Sequence, residues 1–307
     1  MQFDCYEDIK LLNPSYFLGI DGGGSKCKAR LEDAQGNLLA ESVAGPANPA
    51  RDQQLAMASI QQVSEQVVKL AGLPNSALAK THTAMGLAGL NLPFYKAQMQ
   101  AWQHPYAQLT LSTDLYIACL GAHNSDSGAI VIVGTGSSAL ACNQGLQFEY
   151  GGHGFLLGDK GSGAWMGLQT VRWALESFDG IAPSSPFVEA VFQFFNCSDP
   201  AQIVEKYLTS STADFAKLAP LVFEYADQND FVATGIVKQG ATYLSSLARK
   251  LQTHGPQRTA FIGGLASRIQ PWLDEDIQGS IQPPIAAPEY GAIMLAKREF
   301  DLLHNSK

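Results

Sequence analysis

The chain has 307 residues, 46% hydrophobic and 16% charged, which is long enough for two domains with separate cores. A formal net charge of −8 gives no basic surface for nucleic acid or an anionic membrane, although backbone amides and a metal ion can still hold a nucleotide. No segment is apolar over enough residues to span a bilayer, and five scattered cysteines without a CxxC pair argue against zinc, iron–sulfur or disulfide frameworks. We therefore expect reduced, buried thiols in a cytoplasmic protein.

Residues 1–15 are acidic and lack the basic start of a signal peptide, so we interpret them as an extension before the first strand. The stretch YFLGIDGGGSKCKARL that follows predicts a buried strand, a glycine-rich turn and a second strand, with a third strand at LLAES. Three consecutive glycines indicate that a bulky polar group approaches the backbone. Free N–H groups there would bind phosphate, and Asp21 would hold its metal; a β-hairpin without chemical function is the alternative.

The remainder of the first half alternates helices and strands. The pattern predicts a helix near residues 52–71, a strand at THTAMGLAGL, a helix near 94–102, a strand at AQLTLST and a helix from Asp114. Asp114 stands where a strand ends and a helix begins. Two interpretations stay open for it, because such an aspartate either caps the helix or accepts the proton of an alcohol during phosphoryl transfer.

Residues 128–152 repeat the plan of the chain's opening. The strand AIVIV is followed by the turn GTGSS, the strand ALAC, a turn at NQG and the strand LQFEY. Helices are predicted near 160–176, 186–196, 213–226 and 231–254, then the strand TAFIGG, a short helix and a last helix at EYGAIMLAKREFDLL. The repeat favours an α/β sheet in each half and a ligand cleft between the halves.

Each glycine-rich turn precedes a strand rather than a helix, which excludes a P-loop and a Rossmann fingerprint. Asp159, in GGHGFLLGDKGSGAWMGL, is either a helix cap or an acceptor for a polar ligand. Gly263 and Gly264 either give room for a nucleotide base or form a plain strand-to-helix turn.

Five motifs occur in order between about residues 16 and 300: GIDGGGSK, LSTD, IVGTGSS, GDKGSGAWMG and FIGGLASRI. Together they resemble the BadF/BadG-type ATPase family, within the sugar kinase, Hsp70 and actin superfamily. Its glucosamine and N-acetylglucosamine kinases look most similar to this chain. The resemblance implies an α/β fold of two similar ribonuclease H-like (actin-like ATPase) domains facing each other across a nucleotide cleft. The first domain would contain residues 1–118 and 288–307, with the last helix returning to it, and the second residues 119–287.

The resemblance also implies cofactors and residue roles. ATP and Mg²⁺ would be bound, with Asp21 near the metal, Asp114 as catalytic base, and Gly263 and Gly264 near the adenosine. The residues implied to contact phosphate are Gly22, Gly23, Gly24, Ser25, Lys26, Gly134, Thr135, Gly136 and Ser137. Those implied to bind an amino-sugar substrate are Asn48, Asp114, Thr135, Gly136, Gly152 and Asp159.

The implied reaction transfers the γ-phosphoryl of MgATP to the 6-hydroxyl of glucosamine, giving glucosamine 6-phosphate and ADP. N-acetylglucosamine is the alternative substrate, but kinases for it often carry GGWG where this chain has GGHG, and His153 therefore favours free glucosamine. A non-catalytic ATP-dependent sugar sensor is the alternative of another class, and it would need no carboxylate at position 114. The resemblance is compatible with a homodimer, and the residues leave the oligomeric state open.

Overall fold

The computed structural model describes residues 16–196 and 199–305, which divide into two compact units. Unit 1 contains the described residues up to Ala118 together with those from Pro288 onward, and unit 2 runs from Cys119 to Ala287. The extension over residues 1–15, which includes Cys5, lies outside the described residues, and so does Cys197.

The elements follow one another as alternating groups of strands and helices. In chain order they are β1 (Tyr16–Gly22), β2 (Cys27–Asp33), β3 (Leu38–Ala44), α1 (Gln53–Leu70), β4 (Thr81–Leu87), α2 (Pro93–Gln100), β5 (Gln108–Thr113), α3 (Asp114–His123), β6 (Gly128–Val133), β7 (Ser137–Asn143), β8 (Leu146–Gly151), α4 (Gly163–Phe178), α5 (Pro186–Phe195), α6 (Pro200–Leu208), α7 (Thr212–Ala216), α8 (Ala219–Asp227), α9 (Phe231–Gln252), β9 (Thr259–Ile262), α10 (Ala266–Ile269), α11 (Glu275–Gln278) and α12 (Pro288–Asn305). Short 3₁₀ helices cover Asn75–Lys80 and Gln270–Trp272.

Unit 1 is built on a mixed sheet with the strand order β3-β2-β1-β4-β5. The first three strands form an antiparallel meander, whereas β4 and β5 run parallel to β1 after helical crossovers. The register pairs Gly22 with Leu87 and Leu87 with Thr113, so the carboxyl ends of three parallel strands share one edge. Asp21 and Asp114 are therefore brought to the same edge of the sheet.

Helices cover the sheet of unit 1. Helix α1 buries an apolar stripe that includes Ile60, Val63 and Val67, which is the spacing expected for one face of an amphipathic helix. Helix α12 packs on β1 so closely that any side chain at Gly19 would collide with the Glu289 carbonyl. The last helix is thus part of the core architecture of unit 1.

Unit 2 repeats this plan with a sheet of order β8-β7-β6-β9. Strands β6, β7 and β8 form an antiparallel meander, and β9 lies parallel to β6. Helices α4, α5, α8 and α9 supply much of its core, including Phe187 and Phe223, which are among the largest fully buried side chains. The repeat that the sequence predicts is present in the described residues as two related meanders.

One helix prediction in unit 2 is wrong, and one helix is missed. The segment near 213–226 is two helices, α7 and α8, because Pro220 lies in the first turn of α8, where a missing N–H is tolerated, rather than in a helix interior. Helix α6 was not predicted at all, although Asp199 caps it and Pro200 opens it.

The prediction that the cysteines are buried agrees with the structure at three positions. Cys27, Cys119 and Cys142 are buried free thiols. Within residues 16–196 and 199–305 no helix is long and apolar enough to cross a membrane.

Candidate active site

The turn between β1 and β2 combines a close-packed base with an accessible tip. A side chain at Gly22 would collide with Leu87 and would lie 3.0 Å from the Ala47 carbonyl oxygen. The Gly23 N–H donates to the Lys26 carbonyl at 2.9 Å, and the Gly23 carbonyl accepts from the Ala47 N–H at 2.9 Å. Gly24, Ser25 and Lys26 are exposed beyond this base. Only the tip is therefore available to a ligand, while Gly22 is required by packing.

Asp21 lies directly before this turn among other carboxylates of unit 1. Burial raises its pKa to about 7, and the negative charges of Asp114 and Glu289 act in the same direction. The ammonium groups of Lys28 and Lys26 oppose the shift. The surplus of negative charge at this edge of the sheet is an environment that a cation would stabilise.

The donor set fits Mg²⁺ bound together with a nucleotide rather than by protein alone. In the described part of the chain no three His, Cys, Asp or Glu side chains lie together as a metal-binding group. Magnesium in kinases takes one or two carboxylates and completes its shell with phosphate oxygens and water, and the carboxylate of Asp21 would supply a hard oxygen ligand of this kind.

Asp114 is the first residue of α3, but the residue directly before it, Thr113, supplies the capping hydrogen bond. The Thr113 hydroxyl accepts from the Tyr116 N–H at 3.2 Å, in the manner of an N-cap. The Asp114 carboxylate accepts from the adjacent Leu115 N–H at 2.9 Å. Thr113 thus provides the capping hydrogen bond, and the second interpretation of Asp114, as a base for an alcohol, stays a prediction.

The loop before α1 carries Asn48 and a basic residue, Arg51, that no motif in the sequence indicates. The Asn48 side-chain oxygen accepts from the Ala50 N–H at 2.9 Å and lies 2.8 Å from the place a Cβ would take on Gly89, just beyond β4. Three residues later, an Arg51 guanidinium nitrogen lies 3.6 Å from the corresponding position on Gly24. A basic residue in NPAR before a helix was the only available signal, and it is weak because most such residues are solvated.

The turn between β6 and β7 is bonded to the start of α4. The Gly134 carbonyl accepts from the Gly163 N–H at 2.8 Å, and the Thr135 carbonyl accepts from the Ala164 N–H at 3.2 Å. These bonds satisfy two N–H groups of the first helical turn and fix the tip, where Thr135 is exposed. Gly136 has no room for a side chain, since a Cβ there would lie 2.8 Å from an Asp159 carboxylate oxygen.

Asp159 is held against this turn and does not cap α4. The cap is Ser162, whose hydroxyl accepts from the Trp165 N–H at 3.2 Å. The Asp159 carboxylate accepts N–H bonds from Ser137 and Gly154, which oppose the rise in its pKa that burial causes. Its backbone is left-handed, with φ of 54°. The structure thus brings Gly136 and Asp159 together, although they come from separate motifs.

Ser137 and Gly152 serve this arrangement from within unit 2. The Ser137 hydroxyl is buried and donates to the Lys160 carbonyl at 3.0 Å, while its own carbonyl accepts from the Gly152 N–H at 3.1 Å. The hydroxyl and the carbonyl of Ser137 therefore both bond to the segment that contains Asp159. Gly152 is exposed and has φ of 68°, a conformation that favours glycine.

The two late glycines have different surroundings. Gly263 has φ of 104°, and a Cβ there would lie 2.5 Å from the Val133 carbonyl oxygen, which in turn accepts from the Leu265 N–H at 3.0 Å. At Gly264 a Cβ would meet no heavy atom within 4 Å. Gly263 is thus explained by packing, and Gly264 leaves open space beside the strand end.

Comparison with known proteins identifies the family. The model of the BadF/BadG/BcrA/BcrD ATPase family matches residues 18–296. The chain belongs to this family. Both glycine-rich turns, Asn48, Asp114, Asp159 and the late glycine pair lie within the matched region, as the motifs in the sequence predict.

Proteins similar to this chain include kinases of amino sugars. The glucosamine kinase GspK of Vibrio cholerae is 35% identical over 288 residues, which cover 92% of this chain and 96% of that protein. The N-acetyl-D-glucosamine kinase of Dictyostelium discoideum is 25% identical over 77% of this chain and 79% of its own length. A solved structure from Chromobacterium violaceum, a candidate N-acetylglucosamine kinase, is 29% identical with a TM-score of 0.87 and covers 92% of this chain and 99% of its own. These matches confirm the prediction of an α/β fold with two mixed sheets, of the kind found in sugar kinases.

Proposed function

We propose that this protein is an ATP-dependent hexosamine kinase that phosphorylates the 6-hydroxyl of glucosamine, giving glucosamine 6-phosphate and ADP. The observation that carries the proposal is the 35% identity with a glucosamine kinase over almost the full length of both proteins. The placement of the family's motifs at strand ends and turn tips supports it, because such positions in α/β sheets face ligands.

The reaction requires a base, phosphate contacts and a positioned sugar. Asp114 accepts the proton of the 6-hydroxyl as that oxygen attacks the γ-phosphorus. The phosphate contacts proposed are Gly24, Ser25 and Lys26 in the first glycine-rich turn, and Thr135 and Gly136 in the second. Arg51, beside Gly24, adds a cation suited to phosphate oxygens. Most of the rate enhancement then comes from orientation and charge neutralisation rather than covalent catalysis.

Asn48, Gly152 and Asp159 hold the sugar ring in this proposal. Asp159 suits that role because two backbone N–H groups fix its carboxylate before the sugar binds. The space at Gly264 suits the adenosine. Mg²⁺ would be held by Asp21 and would neutralise phosphate charge when it is bound.

A second candidate is N-acetylglucosamine kinase activity of the same fold and mechanism, which the Dictyostelium relative and the Chromobacterium structure favour. Against it stands His153, which lies close enough to the Asp159 carboxylate to oppose the rise in the pKa of Asp159 that burial causes. The residue that replaces the tryptophan of GGWG therefore lies near the proposed sugar ligand.

The test is release of ADP from purified protein with MgATP across glucosamine, N-acetylglucosamine, N-acetylmannosamine and glucose. We expect the highest kcat/KM for glucosamine. Preference for the acetylated sugar would retain the mechanism and overturn the inference from His153. ADP release that no sugar raises, together with intact ATP binding, would instead indicate a sensor.

A further inference from the structure

Two ion pairs join strand β2 to helix α12, with their charges reversed. Near one end of the strand, Lys28 lies 3.7 Å from a Glu289 carboxylate oxygen. Toward the other end, Glu32 accepts from Lys297 at 2.7 Å and from Arg30 at 2.8 Å. The buried carboxylate of Glu32 thus has two charged hydrogen-bond donors. It can be compared with the carboxylate of Glu289 in the first pair.

The carboxylate of Glu289 has fewer and longer polar contacts than that of Glu32. Its exposed fraction is 6%, its one ion pair is long, and its second carboxylate oxygen is buried without a hydrogen-bond partner among the described residues. Burial of a carboxylate in this state costs free energy, because the group loses its hydration without gaining hydrogen bonds in return. The long ion pair and the hydrogen bonds among the described residues therefore do not explain why a glutamate is buried at this position.

Lys28 has a second carboxylate within reach. It pairs directly with Asp21 in the β1–β2 register, and side chains that oppose one another in an antiparallel pair project from the same face of the sheet. The ammonium also acts on Asp21 electrostatically, together with Lys26 and against Asp114 and Glu289. The Lys28 ammonium therefore pairs with Glu289 and also acts electrostatically on the neighbouring Asp21.

We infer that Glu289 is a positioning residue that holds the Lys28 ammonium away from Asp21 and so keeps the Asp21 carboxylate available to a divalent cation. The inference rests on the proposed function, in which Asp21 binds the metal of MgATP. Without Glu289, Lys28 would pair with Asp21, and a cation would have to displace it. The carboxylate thus acts through a lysine and touches neither the nucleotide nor the sugar.

The experiment measures how much Mg²⁺ tightens binding of a non-hydrolysable ATP analogue, as the ratio of Kd with EDTA to Kd with excess Mg²⁺. Measurement at pH 8.5 keeps Asp21 ionised. In Glu289→Gln we expect this ratio to fall about fivefold to tenfold. Adding Lys28→Met to that variant should restore it to within about twofold of the wild type, whereas Lys28→Met alone should leave it unchanged or slightly higher.

This double-mutant cycle distinguishes an effect of Glu289 that acts through Lys28 from a direct effect of its negative charge on Mg²⁺. If Lys28→Met changes the ratio by the same factor in both backgrounds, or Glu289→Gln leaves it unchanged, the inference is wrong and the proposed function stands. If the wild type gains nothing from Mg²⁺, the metal-binding role proposed for Asp21 and the inference fall together. Should Glu289→Gln not fold, Glu289→Asp, which shortens the reach to Lys28, tests the same exchange.

Glu32→Gln is the matched control. It removes a buried carboxylate from the other pair between the same two elements. We expect a lower Tm but a Mg²⁺ ratio within about twofold of the wild type. An equal loss of the ratio in Glu32→Gln would show that any damage to the β2–α12 contact has this effect, and would overturn the inference.

Discussion

Three aspartates at strand ends and turns have different surroundings, and the differences correspond to different proposed roles. Asp21 is crowded by carboxylates and has a raised pKa. Asp159 is held by two N–H groups beside Gly136. Asp114 stands at the start of a helix whose capping bond Thr113 provides. These environments suit Asp21 as a metal ligand, Asp159 as a fixed acceptor for hydroxyls, and Asp114 as a base.

At Asp114 we expect the substitution Asp114→Asn to lower kcat by about 10²–10⁴-fold, because the amide cannot accept the hydroxyl proton. The N–H bond from Leu115 can be kept by the amide oxygen, so folding should be retained. The measurement is ADP release with glucosamine, alongside calorimetric binding of the ATP analogue. A variant with near wild-type kcat, or one that loses nucleotide affinity to the same extent as kcat, would contradict the role of base.

The raised pKa of Asp21 leads us to expect that the stability of the fold depends on pH. Its pKa in the folded protein is about 7, above the ordinary value of 3.8, so the folded state binds more protons between these values than the unfolded state. The free energy of unfolding contributed by this group therefore falls as pH rises from about 4 to 7, by on the order of 2–4 kcal/mol. Asp21→Asn should lack this dependence in denaturant unfolding without nucleotide or divalent cations. The exposed Asp301→Asn is the control, and the same pH slope in both variants would rule out this assignment.

At the scale of elements, the sequence predicts strands and glycine turns well because their signals are local. Apolar runs that end in GIDGGG or IVGTG identify β1 and β6 and their turns without tertiary information. The helices of residues 199–227 were harder to predict, since Pro200 and Pro220 are helix breakers in most positions and helix starters in these. Which function a proline takes there depends on tertiary packing.

The glycine pair after β9 yields a prediction in which two neighbouring substitutions differ. Gly263→Ala places a Cβ against the Val133 carbonyl in a strained backbone conformation, and we expect a loss of about 2 kcal/mol or more in the free energy of unfolding. Gly264→Ala meets open space and should change stability by less than about 0.5 kcal/mol, while weakening binding of the ATP analogue. Denaturant unfolding and calorimetry distinguish the two effects. Equal stability of both variants would refute the packing explanation for Gly263.

At the scale of the whole molecule, the sequence reveals motifs but not their mutual contacts. Lys28 and Glu289 are far apart in the chain, and neither belongs to the five motifs quoted above, so nothing local predicts that they meet. Likewise, a role for Arg51 in phosphate binding is suggested only by its distance to Gly24 in the structure. The order of motifs predicts which residues matter, whereas the electrostatic environment of each depends on packing between elements distant in sequence.

The division into units predicts how the chain responds to truncation. Unit 2 is continuous in sequence and has its own core, whereas unit 1 depends on α12 from the other end of the chain. On α12, Ala292, Ile293, Leu295 and Ala296 are buried, and losing such apolar contacts costs several kcal/mol, a large part of the stability of a domain.

We therefore expect a fragment of residues 114–287, which keeps α3 whole, to unfold in one cooperative transition. A chain ending at residue 287 should retain that transition but lose the cooperative folding of unit 1. Hydrogen exchange followed by mass spectrometry reports each sheet separately: β6 to β9 should be protected in both proteins, and β1 to β5 should exchange rapidly in the truncated chain. Protection of β1 to β5 without α12 would mean that the first sheet is stabilised by contacts other than those with its last helix.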